Sequence, residues 1–164
     1  ATSNQWNFDK GIDDIMCAHK NIMPYIHLPI QSGDDAILAK MNRKSKIKDY
    51  ISLVKYIRSK IKDVAITTDL IIGFPNEINK ACNGTLNLYK GIRFDNEFTF
   101  ISSARNGTPA AKMVDNISKA TKVKRLAKLN ALVKKYAKAN NLKYVGKKLE
   151  VLVDGISKTN KDVI

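Results

Sequence analysis

Val64-Ala65-Ile66-Thr67-Thr68-Asp69-Leu70-Ile71-Ile72-Gly73-Phe74-Pro75 is the stretch that decides the fold. It is dominated by β-branched residues and stops hard at Gly-Phe-Pro, which reads as a buried strand ending in a turn. A near-continuous apolar strand covered on both faces is what a parallel sheet produces. Upstream, Tyr25 to Ile30 reads as a second strand that stops at Gln31-Ser32-Gly33, and downstream Glu97 to Ile101 reads as a third that stops before Ser102-Ser103. Between consecutive strands lies enough chain of helical spacing for a crossover helix.

Working outward, Ile47, Tyr50, Ile51, Val54, Ile57 and Ile61 recur at steps of three and four, which predicts a one-sided helix from about Ser45 to Lys62. Asp34 to Met41 predicts a helix with acids in its first turn, where they suit the helix dipole. Asn76 to Ile92 predicts another, weakened by Gly84, and Asp9 to His19 one before the first strand. The last helix begins near Ser118, with Leu126, Leu129, Val133 and Tyr136 as its apolar stripe. The expected order is α, β, α, α, β, α, β, α. After Gly146, Leu149 to Val153 alternates like a half-exposed strand that has no partner in the chain.

The 164 residues, 44% of them hydrophobic, suffice for one core and argue against disorder. No stretch approaches the roughly 18 uninterrupted apolar residues of a membrane span, and no charged-then-apolar leader opens the chain. Cys17 and Cys82 lack a Cys or His at the short spacings of metal sites or redox pairs, so both are expected to be reduced and structural. A cytoplasmic monomer follows as the expectation. The chain opens at Ala1 without Met and stops at Ile164 after Lys158-Thr159-Asn160-Lys161-Asp162, so it is expected to be an internal piece of a longer protein.

The net charge of +14 is concentrated: twelve Lys or Arg and one acid, Asp115, lie between Lys112 and Lys148. The segment is either the solvated face of a Lys-rich helix or a face for a polyanion, nucleic acid first among them.

Ligands of parallel α/β folds sit at the carboxyl ends of the strands. That rule selects three loops: Gln31-Ser32-Gly33, Gly73 to Glu77, and Ser102 to Pro109. Gln31 and Ser32 offer hydrogen bonds, Gly73 allows a planar ring to approach the backbone, and Arg105 offers a fork for a carboxylate or phosphate. Each loop is also sound turn chemistry without a ligand. His27, among apolar neighbours with no acid close in sequence, reads as a core histidine. Asp69, amid Leu70, Ile71 and Ile72, must be hydrogen-bonded if buried, and either binds a ligand or fixes a neighbouring loop.

His27-Leu28-Pro29-Ile30-Gln31-Ser32-Gly33, Met41-Asn42-Arg43, Thr67 to Glu77, Phe94 to Ile101 and Gly107-Thr108-Pro109-Ala110-Ala111 occur in that order. Together they resemble the radical S-adenosylmethionine methylthiotransferases, most closely the branch that acts on N6-dimethylallyladenosine beside the anticodon of tRNA. The threonylcarbamoyladenosine and ribosomal-protein branches are similar too. The resemblance implies an α/β fold: the C-terminal part of an open (β/α)6 radical barrel over residues 1–144, followed over 145–164 by the first strand of a truncated TRAM-type β domain.

It further implies S-adenosylmethionine as cofactor, held by Gln31, Ser32 and Arg43, with Ile71, Ile72, Gly73 and Phe74 lining the adenine pocket. Asp69, Ser103, Arg105, Lys124, Arg125, Lys128 and Lys135 would face the tRNA. Two [4Fe-4S] clusters and a reductant complete such an enzyme. The barrel cluster's Cys-x-x-x-Cys-x-x-Cys loop is not in this sequence, so no metal ligand is expected here and the chain alone is expected to be inactive. In the family, reductive cleavage of the cofactor yields a radical that removes hydrogen from the adenine ring before the methylthio group is installed. The sequence departs from the family at Ser102-Ser103-Ala104-Arg105, where Tyr-Ser-Pro-Arg is usual. It departs again at Ile78 to Cys82, where acids are usual, and at Ser45, where Tyr is usual. A basic RNA-binding module without catalysis, or an inactive remnant, stay open beside this reading.

Overall fold

The computed structural model describes residues 8–9, 11–151, 153 and 155–156. The elements are α1 (Gly11–Ala18), β1 (Tyr25–His27), α2 (Asp35–Lys40), α3 (Ile47–Lys60), β2 (Ala65–Ile72), α4 (Asn79–Ile92), β3 (Asn96–Ile101) and α5 (Lys119–Leu142), with a 3-10 turn at Pro109–Lys112. The three strands form one parallel sheet in the order β1-β2-β3. The element order is the one expected from periodicity.

The first strand is shorter than expected, for a local reason. Pro29 has no N–H to donate to the ladder, so regular pairing ends at His27. The hydroxyl of Thr68 fills the gap by donating to Leu28 O at 3.0 Å and accepting from Ile30 N at 3.1 Å. Pairing resumes at Gln31, whose N–H donates to Asp69 O and whose carbonyl accepts from Ile71 N. Gln31 takes a φ of 76° to do so.

The helices cover one face of this sheet, where Ile26, Ile66, Leu70 and Ile72 are buried with Tyr50, Val54, Ile57, Tyr89 and Leu129. The opposite face carries Tyr25, His27, Thr67, Asp69, Ile71, Phe98 and Phe100 by register and alternation. It remains half open, which corrects the expectation of a sheet buried on both sides: β3 alternates exposed and half-buried along its length. Tyr50, Tyr89 and Phe94 are fully buried, with ring centroids 5.7 and 6.3 Å apart. Such contacts are worth about 0.5–1.5 kcal/mol each beyond area burial.

Two glycines set how closely α4 approaches the sheet. A Cβ on Gly33 would lie 2.4 Å from Thr85 Cα, and one on Gly84 would lie 2.6 Å from Gly33 O. Gly84, read from sequence as a weakness of its helix, is therefore the point where helix and loop backbones touch. Gly33 N also donates to Thr85 Oγ1 at 2.9 Å.

The last helix is capped by Ser118, whose hydroxyl accepts from Thr121 N. Its buried stripe starts earlier than expected: Lys122, Arg125 and Leu129 are buried, while Leu126 is only half-buried. The stem of Lys122 packs over Gly73, and Arg125 is held by Glu77 and Asn79. Leu149, Glu150, Val151 and Val153 are in no strand, and Leu152 lies outside the described residues. Ser157 to Asn160 also lie outside the described residues.

Candidate functional site

A cleft of about 610 Å³ opens at the carboxyl ends of the strands, within the ordinary range for small-molecule sites. Gln31, Arg43, Asp69, Ile71, Phe74, Ser103 and Arg105 all line it, together with Lys40, Phe100 and Pro109. Seven positions, two of them on β2 and the rest on separate loops, thus share one concavity.

Each is placed by a local cause. Asp34 caps α2 by accepting from Ala36 N and Ile37 N, both at 3.0 Å. Met41 N and Arg43 N close the helix end onto Ile37 O and Leu38 O, which brings Arg43 to the cleft. Phe74 packs with Ile37 and Ala81 in a second small core, so its ring is a fixed wall. Arg105 is held by a turn in which Thr108 donates from both its N–H and its hydroxyl to Arg105 O.

The chemistry of this donor set suits a zwitterion joined to a flat heterocycle. Arg43 and Arg105 can take a carboxylate by paired N–H bonds, Asp69 can accept from an ammonium, hydroxyl or amino N–H, and Ile71 and Phe74 give a planar ring apolar walls. S-adenosylmethionine has these parts, and the cleft residues fit it. An iron-sulfur cluster does not fit the described residues. Among them no group of three or more His, Cys, Asp or Glu could hold a metal; Cys17 is exposed on α1 and Cys82 buried on α4.

Four sequence assignments are corrected. Ser32 is fully buried and its hydroxyl accepts from Asp34 N at 3.3 Å, so it shapes the loop and does not line the cleft. Ile72 points to the helix-covered face, because side chains alternate and Ile71 takes the cleft. Gly73 has a φ of 76°, but the space where its Cβ would project holds Lys122, whose Cγ would be 2.5 Å away. The glycine accommodates α5 on that side.

Arg125 is the fourth: it is not presented to solvent. It donates to Glu77 O at 2.7 Å, to Glu77 Oε2 at 2.9 Å and to Asn79 Oδ1 at 2.9 Å. Glu77 in turn accepts from Gly73 N at 3.0 Å. Burial pushes the Glu77 carboxyl above the usual range, with the Gly73 N–H and the Arg125 guanidinium opposing. Lys124, Lys128 and Lys135 are exposed as expected.

One relationship was not legible from sequence. His27 Nε2 lies 3.5 Å from Asp69 Oδ1, and Nδ1 lies 2.9 Å from Thr67 Oγ1. His27 is therefore a polar member of the open face, paired with an acid that sits on the next strand. Phe98 and Phe100, read as ordinary strand residues, are both more than half exposed on that same face. Their alternation with Thr99 was the one available signal.

The model of the Radical SAM superfamily matches residues 2–89. The chain is 60% identical over 163 residues to tRNA-2-methylthio-N(6)-dimethylallyladenosine synthase of Malacoplasma penetrans, covering 99% of this chain and 33% of that protein. It is 47% identical to the synthase of the same name from Geobacillus thermodenitrificans, covering 99% and 31%. The chain thus spans about a third of the length of these curated relatives. Among solved structures, coproporphyrinogen III oxidase from Escherichia coli, described as a radical SAM enzyme, superposes with a TM-score of 0.67 at 17% identity, covering 82% of this chain and 31% of that one.

Proposed function

Because the chain belongs to the Radical SAM superfamily, we propose that its strand-end cleft binds S-adenosylmethionine and that the chain is part of a methylthiotransferase acting on N6-dimethylallyladenosine in tRNA. The observation that carries this reading is the convergence of Arg43, Arg105, Asp69, Gln31 and Phe74 on one cleft. The relatives at 60% and 47% identity bear the name of that activity.

In this reading Arg43 holds the methionyl carboxylate, and Ile71 and Phe74 flank the adenine of the cofactor. Ser103 and Arg105, exposed at the outer rim, meet the RNA. The bound cofactor supplies the oxidising chemistry that removes hydrogen from the substrate ring. This chain's residues bind, orient and exclude water. Both clusters belong to residues outside this chain, with electrons from an external reductant, and the chain alone does not turn over. Residues 145–164 open an RNA-gripping TRAM domain. The protein acts as a monomer in the cytoplasm, where tRNA is found. Among the described residues no helix is long and apolar enough to cross a membrane.

A second reading has its own observation: Lys124, Lys128 and Lys135 are exposed along one stripe of α5, as expected of an RNA-binding module without catalysis. One measurement tests the placement of the clusters and a second separates the readings. Reconstitution with iron and sulfide is expected to give no cluster absorbance; a stoichiometric [4Fe-4S] signal contradicts the placement of the clusters. An anticodon stem-loop carrying N6-dimethylallyladenosine is expected to bind more tightly than its unmodified counterpart and than a plain RNA duplex. Equal binding to all three supports the module alone.

A further inference from the structure

Phe98 and Phe100 stand apart from Phe74 and Phe94. The latter two are 7% and 0% exposed, whereas Phe98 and Phe100 are 54% and 51% exposed on the open face of the sheet. Large aromatics left in water on a structured strand mark a surface that meets something flat and apolar. Their neighbours are polar and pinned. Phe98 is paired in register with Asp69, and His27 stands edge-on to the Phe98 ring, centroids 6.3 Å apart at 75°. His27 is fixed on one side by Thr67 and on the other by Asp69.

We infer that Phe98 and Phe100 form the stacking platform for the purine being modified, with Asp69 accepting a hydrogen bond from its exocyclic N–H. The inference rests on the tRNA reading above and names the substrate subsite within it. Three observations favour a purine as the occupant. Residues two apart on a strand are separated by about 6.7 Å, roughly two ring thicknesses, so one flat ring can lie between the two aromatic positions. Asp69 contacts His27 through Oδ1, which leaves its other oxygen to accept from a donor on the ring edge; an N6-substituted adenine keeps one such N–H. Asp69 and Phe100 also line the cofactor cleft, so a ring seated here abuts whatever the cleft holds. Proximity of that kind is what the transfer requires. Base stacking on Phe is a general mode for single-stranded RNA.

The test uses an anticodon stem-loop with formycin beside the anticodon, a fluorescent adenosine isomer that keeps the amino group at the N6 position and whose fluorescence falls on stacking, with anisotropy reporting total binding. The wild-type chain is expected to quench. Phe98→Ala and Phe100→Ala should weaken the quenched complex at least about fivefold, the lower end for one base–aromatic stack, while Phe98→Tyr keeps it. Both phenylalanines are half exposed, so their removal should leave the thermal melt nearly unchanged, and a melt run beside each variant confirms folding. Binding without quenching, or quenching that survives Phe98→Ala and Phe100→Ala, assigns the face to packing against protein and overturns the inference. No binding of the stem-loop at all overturns the tRNA reading instead. The platform is then judged with millimolar adenosine: shifted ring protons of Phe98 and Phe100 sustain it, and unshifted ones overturn it.

Discussion

Arg125 on α5 donates to both the backbone oxygen and the carboxylate of Glu77, and the same carboxylate accepts from the backbone N–H of Gly73. The basic helix is thereby tied to the loop that ends β2. A cation in the densest run of positive charge is used to hold the Gly-Phe-Pro turn in place, while Lys122 covers that turn's glycine. Removing one partner of a buried ion pair leaves the other charged and unpaired. Arg125→Ala is therefore expected to destabilise the fold by about 3–5 kcal/mol, read as a lowered denaturation midpoint in urea. An effect below about 1 kcal/mol would show that water reaches Glu77 freely.

Gly33→Ala and Gly84→Ala each place a methyl against backbone atoms closer than 3 Å. Backbone cannot rotate away as a side chain can. Each is expected to cost about 1–3 kcal/mol as overpacking, although alanine is ordinarily the better helix former at position 84. A stabilised Gly84→Ala would contradict the close approach.

Glu97 accepts from Tyr89 OH, and burial raises its carboxyl above the ordinary 4.5, with that hydrogen bond opposing. The native state then binds more protons than the unfolded one in the window between 4.5 and the raised value, so its contribution falls as pH rises through that window. Thermal melts of wild type and Glu97→Gln should show wild type gaining ground as the solution is acidified into it. Asp115 runs the other way, held low by the Lys122 hydrogen bond, but its window lies below 3.8 and does not mask the trend.

Lys124, Lys128 and Lys135 lie four and seven residues apart on one stripe of α5. If they neutralise phosphates, replacing all three with Ala should lower the slope of log affinity against log salt by about 2–3 and leave the melt unchanged. An unaltered slope assigns these lysines to solvent.

The elements and their order along the chain were legible because each rests on local periodicity: β-branched runs for Ala65–Ile72, steps of three and four for Ile47–Lys60, a serine cap for α5. The strand-end rule then gathered Gln31, Phe74 and the side of the cleft built by Ser102, Ser103, Arg105, Thr108 and Pro109, and left out the side built by Lys40 to Arg43. What escaped depends on partners distant in sequence. Arg125 reads as one more exposed cation until Glu77 is brought beside it, and His27 reads as core until the parallel register sets Asp69 on the next strand. Gly84 reads as a helix defect until Gly33 is seen against it. Leu149, Glu150, Val151 and Val153 alternate like a strand in sequence and are in none among the described residues.

In the proposed function the strand-end cleft is the S-adenosylmethionine site. Its most direct test is to titrate S-adenosylmethionine into isotope-labelled chain and follow the amide resonances. Saturable shifts are expected at Gln31, Arg43, Ile71 and Phe74, which line the cleft, none along the exposed stripe of α5, and a loss of about tenfold or more in affinity on Arg43→Ala, in line with a charge-assisted pair. Saturable shifts confined to α5, or shifts at the cleft that Arg43→Ala leaves unchanged, would contradict it.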